Sequence, residues 1–85
     1  MALYLITSSN TKTLSRSLRG FCIENNISYR ALRGHGNKPI KYPIIYKDWV
    51  IEVLPNEIDK LVPYRIGTND LQTYLTIVLS KLEKL

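Results

Sequence analysis

The chain has 85 residues, of which 45% are hydrophobic and 22% are charged, and its formal net charge is +5. This length suits a single domain with a modest core, and the composition argues against disorder. No apolar run reaches the roughly 20 residues of a membrane-spanning helix, and the first residues do not resemble a signal peptide. One cysteine and one histidine supply neither a disulfide framework nor a zinc site. We therefore expect a cytoplasmic protein without a cofactor.

The positive charge is concentrated in the first half of the chain. Residues 12–47 contain eight basic residues and one acidic residue, which gives +7, whereas residues 48–85 contain four basic and six acidic residues, which gives −2. A basic segment of this kind is typical of proteins that bind polyanions. The alternative is a surface that is merely made soluble by positive charge, and the pattern does not distinguish DNA from RNA.

The chain begins with a predicted strand and a predicted helix. Residues 3–7 combine aromatic and β-branched side chains, which favour a strand. Four apolar residues then recur at helical spacing: Leu14, Leu18, Phe21 and Cys22. This spacing predicts a helix over about residues 12–25, with Arg16 and Arg19 on the face opposite the apolar stripe.

A second helix is predicted after a tight turn. Asn26 tolerates the left-handed backbone that ends a helix sharply, Ser28 is a suitable N-cap for residues 29–33, and Gly34 ends the helix. The general helix-turn-helix pattern combines a small residue, a left-handed turn residue and two apolar residues at set spacings. Four residues of the chain meet these requirements: Cys22, Asn26, Ile27 and Leu32.

A β-hairpin is predicted next. Residues 38–46 and 49–54 are rich in β-forming residues and flank the polar dipeptide Lys47-Asp48. Pro39 and Pro43 confine the first run to an edge strand, and pairing with residues 3–7 would give a three-stranded sheet. Trp49 is expected in the core rather than as a platform for stacking bases.

The last third of the chain is predicted to be helical. Residues 55–62 indicate a short helix that starts at Pro55, and Thr68 is the expected N-cap of a longer final helix. The apolar residues of that helix follow a 4-3-4-3 spacing: Leu71, Leu75, Val78, Leu82 and Leu85. This seam either docks on the chain's own core or forms a homodimer through Leu71, Leu75, Val78 and Leu82, which would suit a palindromic DNA site.

These elements predict an α+β fold in a single small domain, residues 1–85. Residues 3–54 form the short strand, the helix-turn-helix and the hairpin, and residues 55–85 form a helical C-terminal extension. The order of helices and strands does not by itself assign a function.

Residues 21–32 read F-C-I-E-N-N-I-S-Y-R-A-L, and residues 46–51 read Y-K-D-W-V-I. Together they resemble a small module found in phage proteins and beside the nuclease domains of phage homing endonucleases. Its pattern is roughly F-C-x-E-N-x-[I/L]-S-x-x-x-L, then a basic or glycine-containing stretch, then K-G-W-x-I; Asp48 stands in place of its usual glycine. The resemblance covers about residues 3–54 and implies a helix-turn-helix-type DNA-binding unit flanked by strands, with DNA contact but not cleavage.

Eight side chains are predicted to contact duplex DNA. Arg30 and Arg33 would reach base edges from the exposed part of the second helix, beside Ser28 and Tyr29 at its start. The remaining cations would hold phosphates: Arg16, Arg19, Lys38 and Lys41. For each of these residues the alternative role is an ordinary solvated surface, and Ser28 would then act only as a helix cap.

The leading hypothesis is a DNA-binding protein, either a phage-type transcriptional regulator or an accessory protein. The alternative is a small phage-type inhibitor or adaptor that binds a host protein through the tyrosine-rich hairpin or the final helix. We do not expect an enzyme, because His35 has no nucleophile or carboxylate at a telling spacing. The sequence also lacks a suggestive carboxylate pair and a glycine loop for phosphate.

Overall fold

A computed structural model describes residues 2–34 and 41–84. Its strands form one antiparallel sheet in the order β2-β1-β4-β3; they are β1 Tyr4–Ser8, β2 Thr11–Ser15, β3 Ile44–Tyr46 and β4 Trp49–Val53. Its helices are α1 Leu18–Glu24, α2 Tyr29–Arg33, α3 Asn56–Asp59, α4 Thr68–Leu71 and α5 Leu75–Glu83, with a 3-10 turn at Gln72–Tyr74. The predicted α+β class is confirmed. Within the described ranges, no helix has the length and apolar character needed to cross a membrane.

The first helix is shorter than predicted, because residues 11–15 form strand β2. The prediction of a helix over residues 12–25 is wrong for residues 12–17, because α1 begins only after its N-cap, Ser17. The Ser17 hydroxyl accepts a hydrogen bond from the Gly20 amide at 3.0 Å. Ser9, with a φ of 40°, turns the chain back, so that Leu14 pairs with Leu5. Threonines at positions 11 and 13 favour this strand. The sheet therefore has four strands rather than three.

Helices cover both faces of the sheet. Successive residues of a strand face opposite sides, and β1 accordingly contributes Ile6 to one core and Leu5 to the other. The helix-turn-helix cluster lies under α1 and α2 and contains Ile6, Leu18, Phe21, Cys22, Leu32, Ile44 and Ile51. The C-terminal cluster lies under α3, α4 and α5 and contains Leu3, Leu5, Leu14, Leu54, Ile58, Val62, Leu71 and Val78.

The predicted hairpin is present as β3 and β4. Tyr46 pairs with Trp49 across the turn, in which Lys47 has a φ of 54°, and β4 also pairs with β1 as predicted. Trp49 packs edge to face on Phe21, with ring centroids 5.1 Å apart, which agrees with its predicted place at the core. Strand β3 begins after Pro43 and lies at the sheet edge, while Pro39 falls outside the described residues.

The seam of the final helical segment docks on the chain's own sheet. Leu71 and Val78 are buried in the C-terminal cluster, and Leu75 and Leu82 pack against it. The N-cap is Gly67 rather than the predicted Thr68, and the segment is divided by the 3-10 turn instead of forming one helix. Leu85 lies outside the described residues, and a homodimer through this seam stays a prediction.

The outer edge of β2 is closed by the side chain of Gln72. Its Oε1 accepts a hydrogen bond from the Leu14 amide at 3.0 Å, and its Nε2 donates to the Leu14 carbonyl at 2.9 Å. These two bonds occupy backbone groups that an additional strand would use. Gln72 thereby joins the C-terminal helices to the sheet and blocks strand addition at this point.

Candidate nucleic-acid interface

The turn between α1 and α2 has the backbone conformation expected for its asparagine. Asn26 has a φ of 55°, and the amide of Ile27 donates to the Cys22 carbonyl at 2.8 Å while the amide of Asn26 donates to that of Ile23 at 3.5 Å. This pair of bonds is the Schellman arrangement, which ends a helix in a sharp reversal. Ile27 then packs against the helix-turn-helix cluster, so the start of α2 is held close to α1.

Helix α2 begins and ends where the sequence predicts. The Ser28 hydroxyl caps it by accepting a hydrogen bond from the Ala31 amide at 3.2 Å, and Gly34 ends it with a φ of 90°. Leu32 is buried in the helix-turn-helix cluster and anchors the helix. Arg30 and Arg33 are exposed, and their spacing of three residues places them on neighbouring parts of the helix surface.

Arg19 on α1 completes a cationic surface around the start of α2. Its guanidinium carbon lies 5.4 Å from the centre of the Tyr29 ring, within the range of a cation–π contact. Tyr29 and Arg33 are four residues apart on α2 and therefore share a side of that helix. We call Arg19, Arg30 and Arg33 the basic face; it combines the predicted base-reading residues with one predicted phosphate contact.

Only one of the two predicted loop cations lies within the described residues. Lys41 is exposed and lies shortly before β3, the strand against which α2 packs. Lys38 falls outside the described residues, as does His35, so their predicted roles concern a part of the chain that is not described. Of the predicted loop contacts, Lys41 is thus the one that lies within the described residues.

Arg16 is not part of the basic face, which corrects its predicted role as an exposed phosphate contact. Its guanidinium pairs with the carboxylate of Asp59, and the two side chains are only 11% and 10% exposed. Nη2 also donates to the Val62 carbonyl at 2.7 Å. Arg16 follows strand β2 instead of lying on the outer face of α1, which is why it contacts the C-terminal helices.

Tyr64 completes the site around Arg16. The guanidinium carbon lies 4.3 Å from the centre of the Tyr64 ring, and the Tyr64 hydroxyl donates to Oδ2 of Asp59 at 3.2 Å. The ion pair of Asp59 was not predicted from the sequence. One signal was present: Asp59 directly follows Ile58 and lies three residues before Val62, and a carboxylate among buried residues needs a cation or donors nearby.

Several tyrosines pack against the helix-turn-helix cluster: Tyr4, Tyr29, Tyr42 and Tyr46. Burial raises the pKa of Tyr42 to about 12, and a side-chain hydrogen bond with Tyr4 and the proximity of Tyr4 and Tyr29 add to this effect. A phenol is neutral near pH 7 even at its ordinary pKa of about 10, and the raised pKa keeps Tyr42 neutral at still higher pH. Burial also raises the pKa of the Cys22 thiol, which agrees with its predicted place on an apolar stripe. Neither residue adds a negative charge beside the basic face.

Comparison with known proteins identifies no relative. No family model, curated protein sequence or solved structure matches the chain. The resemblance of residues 21–32 and 46–51 to the phage module therefore stays a prediction, and the functional argument is made from the geometry of the basic face.

Proposed function

We propose that the chain is a small DNA-binding protein that presents the unit formed by α1, the turn and α2 to duplex DNA. The observation that carries the proposal is the basic face. Arg19, Arg30 and Arg33 are exposed, and within the described residues no carboxylate forms an ion pair with any of them. Cations that lie together without an anionic partner in the chain favour binding of an external polyanion.

The proposed contacts follow from the positions of the side chains. Arg30 and Arg33 would approach base edges, because α2 is anchored by Leu32 and exposes both arginines. Five helical residues span about 7.5 Å at 1.5 Å per residue, which is less than the roughly 12 Å width of the major groove. Arg19 and Lys41 would contact phosphates on either side. A regulator or an accessory protein acting on DNA is the function that we propose for this arrangement.

A protein partner is the second candidate, and two exposed isoleucines favour it. Ile45 on β3 is 75% exposed and Ile23 on α1 is 72% exposed. Single apolar side chains on a surface are common, so they weigh less than the basic face. In this case the chain would act as an inhibitor or adaptor, with the β3–β4 hairpin as part of its interface.

The salt dependence of binding tests the proposal. We expect the protein to bind a labelled random-sequence duplex with micromolar affinity at ~50 mM salt, and the log–log slope of affinity against salt to be about −3 to −4. On a random sequence, where no preferred bases are present, Arg30 and Arg33 would contact phosphates together with Arg19 and Lys41. These four cations set the slope, since Arg16 is buried in its ion pair. Fluorescence anisotropy provides the measurement, with single-stranded DNA and an RNA duplex as competitors. Absence of binding at low salt would overturn the proposal. Preferential binding of the RNA duplex would show that the ligand is RNA and not DNA.

A further inference from the structure

Arg19 and Tyr29 differ from the other members of the candidate interface because their side chains are already in contact. We propose that Tyr29 is a positioning residue that orders Arg19 as a clamp for a pair of coplanar acceptor atoms on the nucleic acid. Two phosphodiester oxygens are the favoured pair, and the O6 and N7 atoms of guanine have the same chemistry. This inference rests on the proposed function, because Tyr29 would order Arg19 for the phosphate contact proposed there.

The core of the protein restrains the ring of Tyr29. Tyr29 is half-buried and packs against the helix-turn-helix cluster, and it is the first residue of α2, directly after the Ser28 cap. Its backbone is therefore part of a capped helix, and its ring is restrained by the core. A ring fixed in this way provides a defined surface on which the guanidinium of Arg19 lies at 5.4 Å.

Arg19 keeps its hydrogen-bonding groups free while its guanidinium contacts the Tyr29 ring. Among the described residues its guanidinium forms no hydrogen bond and no ion pair, so its side-chain N–H donors remain available. An arginine stacked on an aromatic ring loses less side-chain freedom when it binds than a fully mobile one. Neither Arg30 nor Arg33 has a ring contact within the part of the chain that the structure describes, so this ordering distinguishes Arg19 within the basic face.

The position of Arg19 on α1 favours phosphate over guanine. In helix-turn-helix proteins the second helix enters the major groove, whereas the first helix crosses the DNA backbone. Arg19 is the second residue of α1, so it projects from the helix that would meet the backbone. A contact to phosphate carries no sequence information but sets the register of the second helix on the duplex. Tyr29 would accordingly influence where Arg30 and Arg33 reach the bases.

A double-mutant cycle in DNA affinity tests the inference. We expect Tyr29→Leu to weaken binding about 3- to 5-fold and Tyr29→Phe to weaken it less than Tyr29→Leu does, because phenylalanine retains the ring face. Arg19→Ala should weaken binding about tenfold. The combined variant Arg19→Ala/Tyr29→Leu should bind no more weakly than Arg19→Ala alone, since Tyr29 acts through Arg19. Urea unfolding of each variant shows that the comparison is made between folded proteins.

Other outcomes would overturn the inference without affecting the proposed function. If the wild-type protein binds DNA but the fold-losses of affinity of the two single variants multiply in the combined variant, Tyr29 acts independently of Arg19. Should Tyr29→Leu fail to fold, Arg19→Lys replaces it: lysine keeps the charge but lacks the planar fork, so the inference expects a loss of about 3-fold or more and is contradicted by unchanged affinity. If Arg19→Ala loses the same affinity for an A·T-only duplex as for a G·C-containing duplex, the result supports a phosphate contact. A loss of affinity confined to the G·C-containing duplex overturns that assignment.

Discussion

Replacing both Arg30 and Arg33 by alanine is expected to weaken binding to duplex DNA by about 30- to 100-fold. The two side chains project from α2, are exposed and share one region of its surface. Removing two cations should also make the salt slope shallower by about 2. The measurement is an anisotropy titration of the variant and the wild-type protein at two salt concentrations, with the same labelled duplex.

The control for this prediction is Lys81→Ala/Lys84→Ala, which removes the same charge from another helix. Lys81 and Lys84 are exposed, three residues apart and at the end of α5. If the basic face binds DNA, this control should bind within about twofold of the wild-type protein, since only distant charge is lost. Equal losses for the two double variants would show that net charge, and not α2, determines binding.

Replacing Asp59 by alanine is expected to lower the free energy of unfolding by about 3–5 kcal/mol, because it leaves the Arg16 guanidinium buried without its anion. Small domains are stabilised by only about 5–15 kcal/mol in total, so a large part of the protein's stability depends on this ion pair. Tyr64 would also lose the acceptor of its 3.2 Å hydrogen bond. Urea unfolding followed by circular dichroism measures the change.

Two further variants separate the buried ion pair from ordinary surface charge. Glu57 is an exposed carboxylate on the same helix as Asp59, and Glu57→Ala should cost no more than about 1 kcal/mol. Arg16→Met/Asp59→Leu removes both charges and should restore at least half of the stability lost in Asp59→Ala, because apolar residues of similar size often replace buried ion pairs without loss. A loss below about 1 kcal/mol for Asp59→Ala would place the pair among weak surface interactions and contradict its described burial.

The parts of the fold that could be predicted from the sequence depend on interactions between near neighbours. Asn26 sets the turn, Ser28 caps α2 through an amide three residues away, and Gly34 ends the helix. Each effect depends on the backbone preference or hydrogen-bonding ability of one residue. These local effects explain why the bounds of α2 agree with the prediction.

Strand β2 could not be predicted because Leu14 fits two patterns. Its spacing to Leu18 is helical, but it also occupies an inward position in a strand that contains two threonines. What decides between the patterns is distant in the chain: Leu14 pairs with Leu5, and its backbone is bound by Gln72, 58 residues away. Local periodicity carries no information about such partners, and tertiary pairing overrides it.

The same reason accounts for the incorrect role of Arg16. On a helix that starts near residue 12, Arg16 would be exposed, but at the end of β2 it meets Asp59, which is 43 residues away. The basic charge of residues 12–47 was correctly counted, yet charge counting does not show which cations have internal partners. The predicted site therefore retains Arg19, Arg30, Arg33 and Lys41 as exposed cations and loses Arg16.

A ¹H–¹⁵N correlation spectrum of the labelled protein titrated with a short duplex tests directly the claim that α1, the turn and α2 form the DNA-binding surface. We expect the largest shifts of backbone amide signals in residues 18–34, smaller ones near Lys41, and little change in residues 56–84. Shifts concentrated in residues 56–84, or an unchanged spectrum at saturating DNA, would contradict the claim.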